Sequence, residues 1–103
     1  MLHTLVYMSA ANGMARAGEL DDILAESRAN NQRDGITGLL LYHDGNFLQI
    51  LEGERDLVLA CFARIKADPR HDGCLALITA PNHHRPFAPW PLAFPAFGHP
   101  PPP

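Results

Sequence analysis

Apolar residues recur along this chain with two different periods, and the switches between them predict the elements. Leu2 to Ser9 carries Leu5, Val6, Tyr7 and Met8 in an apolar run closed by Ala10-Ala11-Asn12-Gly13. This predicts a central strand, with Tyr7 on the same face as Leu5 and Ser9. From about Gly18 to Asn31, Leu20, Ile23 and Leu24 fall at i, i+3 and i+4, and the acids Glu19, Asp21 and Asp22 occupy the first turn. That pattern predicts a first helix, because acids at a helix N-terminus complement its dipole. Continuing the stripe by seven from Leu20 and Leu24 reaches Ser27 and Asn31, which places both on the buried face.

Gly35 to Tyr42, rich in Ile and Leu, predicts a buried strand. Asp44-Gly45 between apolar runs signals a hairpin, because both central residues of a type I′ turn need positive φ. Phe47 to Glu52 is then the antiparallel partner, with Phe47, Gln49 and Leu51 on one face and Leu48 and Ile50 on the other. Val58, Cys61, Phe62 and Ile65 keep helical spacing and predict a second helix from about Arg55 to Ala67, stopped before Pro69. Cys74 to Thr79 predicts a fourth strand.

Strand, helix, strand, strand, helix, strand is the order of a ferredoxin-like α+β domain, βαββαβ, with two helices on one face of a mixed, mainly antiparallel sheet. Phe87 to Phe94 predicts an additional fifth strand, confined to an edge because Pro89, Pro91 and Pro95 cannot donate to a ladder. The expected division is one domain over 1–94 and a proline-rich tail over 95–103, which favours a polyproline conformation.

The 103 residues with 47% hydrophobic content suffice for one core and not for two. Eight basic against eleven acidic residues, a net charge of −3, lack the basic excess that phosphate backbones demand, so nucleic acid is not an expected partner. No apolar run approaches the roughly 20 residues of a spanning helix, and the N-terminus does not read as a signal peptide. The expectation is a cytoplasmic protein with no membrane partner. Cys61 and Cys74, 13 apart, fit neither a disulfide framework nor a metal knuckle and read as small core hydrophobes.

Polar side chains at core positions carry the chemistry. A buried amide left unpaired costs roughly 1–3 kcal/mol, so Asn31 and Gln49 need partners from the protein or from a ligand. With Ser27 and Tyr7 they converge on the space between the two helices. That set suits a flat heteroaromatic ring whose edge alternates carbonyls and N–H groups and whose faces pack on Ile23, Leu24, Phe47 and Phe62. Each residue also has a plainer reading. Asn31 suits a helix C-terminal cap, Gln49 an edge strand facing water, and Tyr7 a half-buried strand position. Arg64, Asp68 and Arg70 suit a solvated helix terminus. The Asn82-His83-His84-Arg85 stretch lacks further ligands at metal spacing and reads as a surface loop. No nucleophile elbow, phosphate-cradling glycine loop or paired carboxylates support hydrolase or kinase chemistry.

Taken together, Leu-Val-Tyr-Met-Ser, Ser-Arg-Ala-Asn-Asn, Gly-Ile-Thr-Gly-Leu-Leu-Leu-Tyr, Phe-Leu-Gln-Ile-Leu-Glu-Gly, Ile-Lys-Ala-Asp-Pro-Arg-His and Arg-Pro-Phe-Ala-Pro-Trp closely resemble the BLUF family, flavin-binding domains that sense blue light using FAD. The resemblance runs over about residues 2–94. It implies that Tyr7 donates an electron and a proton, that Gln49 relays between Tyr7 and the flavin, and that Trp90 stands with them in the photoactive group. It further implies that Asn31 bonds the C4 carbonyl edge, that Asn30 contacts the ring beside it, and that Arg64 reaches the C2 carbonyl. Asp68 and Ser27 match polar residues near the ring and ribityl chain.

Within the Phe-x-x-Trp-x-Met pattern of the fifth strand the chain reads Phe87-Ala88-Pro89-Trp90-Pro91-Leu92, so leucine stands where methionine is usual and any thioether contact with Gln49 is lost. The family's usual C-terminal helices have no counterpart in the proline tail. The favoured expectation is a photoreceptor, not an enzyme, that signals to a downstream protein partner, with homo-oligomerisation open. The alternative is a degenerate member acting as an interaction or dimerisation module without photochemistry. An acylphosphatase-like hydrolase rests on topology alone, since Gly13 and Arg16 lack the surrounding pattern of a phosphate-cradling loop.

Overall fold

The structure is a computed structural model that describes residues 1–11, 19–43, 45–69, 71–89 and 92. Its elements run β1 (Leu2–Ala11), α1 (Glu19–Asp34), β2 (Thr37–His43), β3 (Asn46–Glu54), α2 (Arg55–Ala67) and β4 (His71–Pro81). The sheet order is β2-β3-β1-β4 and each neighbouring pair is antiparallel. β3 therefore lies between β1 and β2, which point the same way, as a split βαβ unit requires.

Register decides what each strand buries. Tyr7 lies opposite Gln49, Leu5 opposite Leu51 and Ser9 opposite Phe47, so these residues share one face. All six are buried, as the alternation in β1 and β3 predicts. The face carries two apolar clusters. Leu5, Tyr7, Ile36 and Leu51 pack beneath Val58 and Cys61 of α2, whereas Leu40, Phe47 and Leu92 pack beneath Ile23 and Leu24 of α1. On the reverse face Met8, Leu41, Leu75 and Ile78 are exposed.

The first helix overruns its expected end by one turn. Gly35 stops it, adopting φ +67°, a left-handed conformation that glycine reaches without steric cost. Ile36 N–H donates to the Asn31 carbonyl at 2.8 Å and Gly35 N–H to the Gln32 carbonyl at 3.4 Å, which together form a Schellman motif. The left-handed capping residue is thus Gly35, and the Asn31 side chain is left to face the interior. Across the β2–β3 ladder, a Cβ on Gly38 would stand 1.9 Å from the Ile50 carbonyl oxygen, so only glycine permits this approach. In the hairpin Gly45 has φ +80°, while Asp44 lies outside the described residues.

Three expectations need correction or narrowing. The sheet has four strands among the described residues and every neighbouring pair is antiparallel, so the mixed character expected of it is not seen. Pro86–Pro89 forms a turn in which Ala88 N–H donates to the Arg85 carbonyl at 3.0 Å. Pro86 and Pro89 lack the donors that a strand there would use; residues 90, 91, 93, 94 and the tail 95–103 lie outside the described residues. Cys74 is only half-buried, because β4 is an edge strand whose side chains are mostly exposed, whereas Cys61 is buried in the core.

The segment after β4 is tied to the sheet by polar contacts. Asn82 Nδ2 donates to Thr4 Oγ1 at 2.8 Å and Arg85 Nη1 to the Gly35 carbonyl at 2.9 Å. Glu52, 2% exposed, accepts from Thr37 Oγ1 at 2.9 Å and from Phe87 N–H at 3.1 Å. Burial raises the Glu52 carboxyl pKa, against the opposing pull of these two hydrogen bonds.

Candidate functional site

Between the helices lies a cleft with about 540 Å³ of space between its walls, part of it open solvent. α1 contributes Ile23, Glu26, Ser27, Asn30 and Asn31, the i, i+3, i+4, i+7, i+8 face of one helix. α2 contributes Cys61, Arg64 and Ile65, Asp68 caps its C-terminal end, and Gln49 and His71 complete the lining from the sheet.

Beneath Gln49 the Tyr7 hydroxyl donates to Oε1 of that amide, a contact sealed within the core because Tyr7 is wholly buried and Gln49 is 4% exposed. The register places the two side by side on adjacent strands. The Tyr7 ring packs 5.2 Å from Phe62 and lies edge-on to His71 at 6.5 Å. Burial drives the phenol pKa upward, reinforced by Cys74, Cys61 and Asp68, so Tyr7 holds its proton at neutral pH. With Oε1 engaged by Tyr7, the Gln49 NH2 is the other hydrogen-bonding end of that amide.

Asn31, 1% exposed, accepts from the Cys61 thiol with Sγ 3.7 Å from Oδ1. Arg64 pairs with Asp34 at 3.2 Å. The Asp34 carboxyl is held below the usual carboxylate range by its hydrogen bond from Arg33, with Arg64 adding to the effect. His71 packs 4.9 Å from the Phe47 ring, and its Nδ1 hydrogen-bonds Ser9 Oγ at 2.9 Å.

Of the candidates read from the sequence, the cleft brings together Ser27, Asn30, Asn31, Gln49, Arg64, Asp68 and Ile23. Tyr7 stands one layer below. Leu24 and Phe47 do not line the cleft but pack with Leu40 and Leu92 in the cluster under α1, because helical geometry turns Leu24 toward the sheet. Leu92 is buried there, and Arg28 Nε donates to its carbonyl at 3.0 Å. Trp90 lies outside the described residues. Sequence reasoning missed Glu26, Cys61, Ile65 and His71 as lining residues. Glu26 follows Ile23 by three on the α1 face, and Cys61 and Ile65 already stood in the apolar stripe of α2; His71 carried no periodic signal, since the β1–β4 register positions it.

Among the described residues no cluster of His, Cys, Asp and Glu is arranged to hold a metal ion. The polar groups lining the cleft are the amides of Asn30, Asn31 and Gln49, the Arg64 guanidinium, the Ser27 hydroxyl, the Cys61 thiol, the His71 imidazole and the carboxylates of Glu26 and Asp68, with Ile23 and Ile65 supplying apolar surface. Such a set fits a flat heterocycle bearing carbonyl and N–H groups along one edge, as in the ring system of a flavin.

Comparisons with known proteins agree with that chemistry. The photoactivated adenylate cyclase subunit alpha of Euglena gracilis is 34% identical over 91 residues, which are 86% of this chain and 9% of that protein. The chain thus spans about a tenth of the curated relatives it matches first. A solved bacterial light-regulated adenylyl cyclase aligns with a TM-score of 0.87 at 41% identity, covering 91% of this chain and 28% of the other. The dark-state structure of BlrB, a BLUF protein, aligns with a TM-score of 0.86 at 36% identity over 90% of this chain and 70% of the other. Residues 2–93 match the family described as sensors of blue light using FAD, and the chain belongs to that family, BLUF.

Proposed function

We propose that Tyr7 and Gln49 form the photoactive centre of this blue-light sensor, and that Asn30, Asn31, Arg64, Asp68 and Ser27 hold FAD in the cleft between α1 and α2. One observation carries the reading. The Tyr7 hydroxyl, sealed from water, donates to an amide that itself lines the cleft.

FAD, when bound, supplies the absorption of blue light and an acceptor for one electron. The protein supplies the rest. Tyr7 holds its proton at Oη, poised on Gln49 Oε1, because burial disfavours the phenolate. Gln49 presents its NH2 end elsewhere, so rotation of the amide exchanges donor for acceptor at both ends. That exchange is a two-state element of the kind a switch requires. Phe47, two residues away on the same face of β3, packs on Leu92, which leads the change toward the C-terminal segment. Asn31 and Arg64 bind the ring edge and orient it, while Ile23 and Ile65 exclude water from its faces.

The domain is a sensor rather than an enzyme, and its output passes to a downstream protein or to a second copy of the chain. Action in the cytoplasm is supported by two free cysteines. Among the described residues no helix is long and apolar enough to cross a membrane.

The test is an absorption spectrum of the purified protein loaded with FAD, before and after blue light. A reversible red shift is expected in the parent. Gln49→Leu and Tyr7→Phe are expected to retain FAD yet lose the shift. Failure of the parent to bind FAD would favour the interaction-module reading, whereas a photoswitching Gln49→Leu would remove Gln49 from the centre.

A further inference from the structure

After β4 the chain turns back across one end of the sheet as a strap, residues 82–88. Asn82 opens it: its N–H donates to the Leu2 carbonyl at 3.1 Å, its Nδ2 donates to Thr4 Oγ1 at 2.8 Å, and its Oδ1 accepts from the N–H groups of His83 and His84 at 2.8 and 3.4 Å. One asparagine thus fixes both the strand end and the turn that follows it. Thr4, Glu52 and Thr37 stand side by side across β1, β3 and β2, on the face opposite Tyr7 and Gln49. The strap follows that row, from Thr4 to the buried Glu52 carboxylate that accepts from Phe87 N–H.

The middle residue of the strap reaches the helix layer. Arg85 Nη1 donates to the Gly35 carbonyl, 2.9 Å away, at the point where α1 ends. The Schellman bonds satisfy the carbonyls of Asn31 and Gln32, whereas the Gly35 carbonyl lies beyond that motif and takes its hydrogen from the guanidinium. A cation there also complements the helix dipole. Gly53 of β3 leaves room for the approach, since a Cβ on it would stand 3.4 Å from both the Gly35 carbonyl oxygen and Ile36 Cγ1. Bare strand on one side and a guanidinium on the other therefore hold a single carbonyl in place. Asn30 and Asn31 line the cleft from the turn just before it.

We propose that Arg85 is a positioning residue for the flavin cleft: by holding the Gly35 carbonyl it fixes the last turn of α1, from which Asn30 and Asn31 meet the ring. The role rests on the flavin reading proposed above. Linkage makes the coupling reciprocal. A flavin held by Asn30 and Asn31 steadies the end of α1, and with it the Arg85 contact and the strap that carries Arg85. The polar segment between β4 and Phe87 is then part of the sensor rather than a plain surface loop.

Amide hydrogen exchange and FAD titration test the role. In the parent, FAD is expected to slow exchange at the Asn82 and Phe87 N–H groups, neither of which belongs to the cleft. Arg85→Met keeps the aliphatic stem and removes the donor; in it these two amides are expected to exchange at rates that FAD no longer alters, while the amides of α1 still respond. The same substitution is expected to weaken FAD binding by about two- to fivefold, the scale of a cation lost from a helix C-terminus, and Arg85→Lys, which keeps the charge, is expected to weaken it less. Strap amides that FAD leaves unaltered in the parent, or slows equally in Arg85→Met, overturn the coupling. An Arg85→Met affinity equal to the parent's overturns the positioning role. Where circular dichroism shows Arg85→Met unfolded, Arg85→Gln, uncharged and shorter, is read by the same criteria. A parent protein that takes up no FAD overturns the photoreceptor reading and this role with it, whereas a parent that binds FAD as tightly as Arg85→Met does overturns the Arg85 role alone.

Discussion

The Tyr7–Gln49 contact allows a sharp energetic test, because it joins two buried groups on neighbouring strands. Tyr7→Phe removes the hydroxyl and strands Gln49 Oε1; Gln49→Leu removes the acceptor and strands the phenol. Tyr7 is wholly buried and Gln49 is 4% exposed, so water cannot readily replace the missing partner at either atom. Each single substitution should therefore lower stability by about 1–3 kcal/mol, the cost of an unsatisfied buried polar group. The double substitution leaves neither group behind, since phenyl and isobutyl side chains both suit the face formed by Leu5, Leu51 and Val58. Its cost should fall well below the sum of the singles, with a coupling on the order of 1–2 kcal/mol. Urea denaturation of the four flavin-free proteins, followed by far-ultraviolet circular dichroism, measures the cycle directly. Additive losses would refute the claim that this hydrogen bond is made and sealed in the flavin-free fold.

Three further outcomes follow from the geometry. Gly38→Ala should be destabilising by at least about 1–3 kcal/mol, because its methyl meets the Ile50 carbonyl at 1.9 Å and the rigid ladder must open; an unchanged urea midpoint would contradict the close approach. Burial raises the Tyr7 pKa in the folded state, so the associated stability is complete below the ordinary phenol value and declines as pH rises past it. The parent should then lose on the order of 1 kcal/mol more than Tyr7→Phe one pH unit above about 10, and parallel alkaline limbs in the two denaturation series would count against a buried phenol. Glu52 likewise has a raised pKa, so the parent loses part of its stability as pH climbs through the unfolded and then the folded carboxyl pKa. Glu52→Gln retains an oxygen for Thr37 and Phe87 and should be at least as stable as the parent at pH 7, while matching it in acid; a variant markedly weaker at pH 7 would show that the charge is needed.

Much of the site was legible in the chain because its features are local. Period two on β1 and β3 put Tyr7 and Gln49 on one face, and period 3.6 on α1 put Ser27 and Asn31 with the leucines; neither inference needs a neighbour in space. Pro69 marked where the second helix stops, whereas the first helix ran past its expected end at Asn31 to Asp34, because Gln32 and Arg33 are tolerated in a helix and only Gly35 takes the left-handed turn. The fifth strand was misjudged over Phe87–Pro89, where apolar character invited a strand and missing N–H groups left a turn. Leu24 and Phe47 look in the sequence like surface for a ring, but they pack with Ile23, Leu40 and Leu92 in the core between α1 and the sheet.

The chain's own periodicities thus determined which elements form, which residues face inward and which amides must be satisfied. Tertiary structure alone decided that Tyr7 and Gln49 sit side by side, that Cys61 meets Asn31 across two helices, and that His71 enters the cleft from the end of β4. These are contacts between elements 30 or more residues apart, set by strand register and helix docking, and no local pattern encodes a distance between faces that only packing brings together.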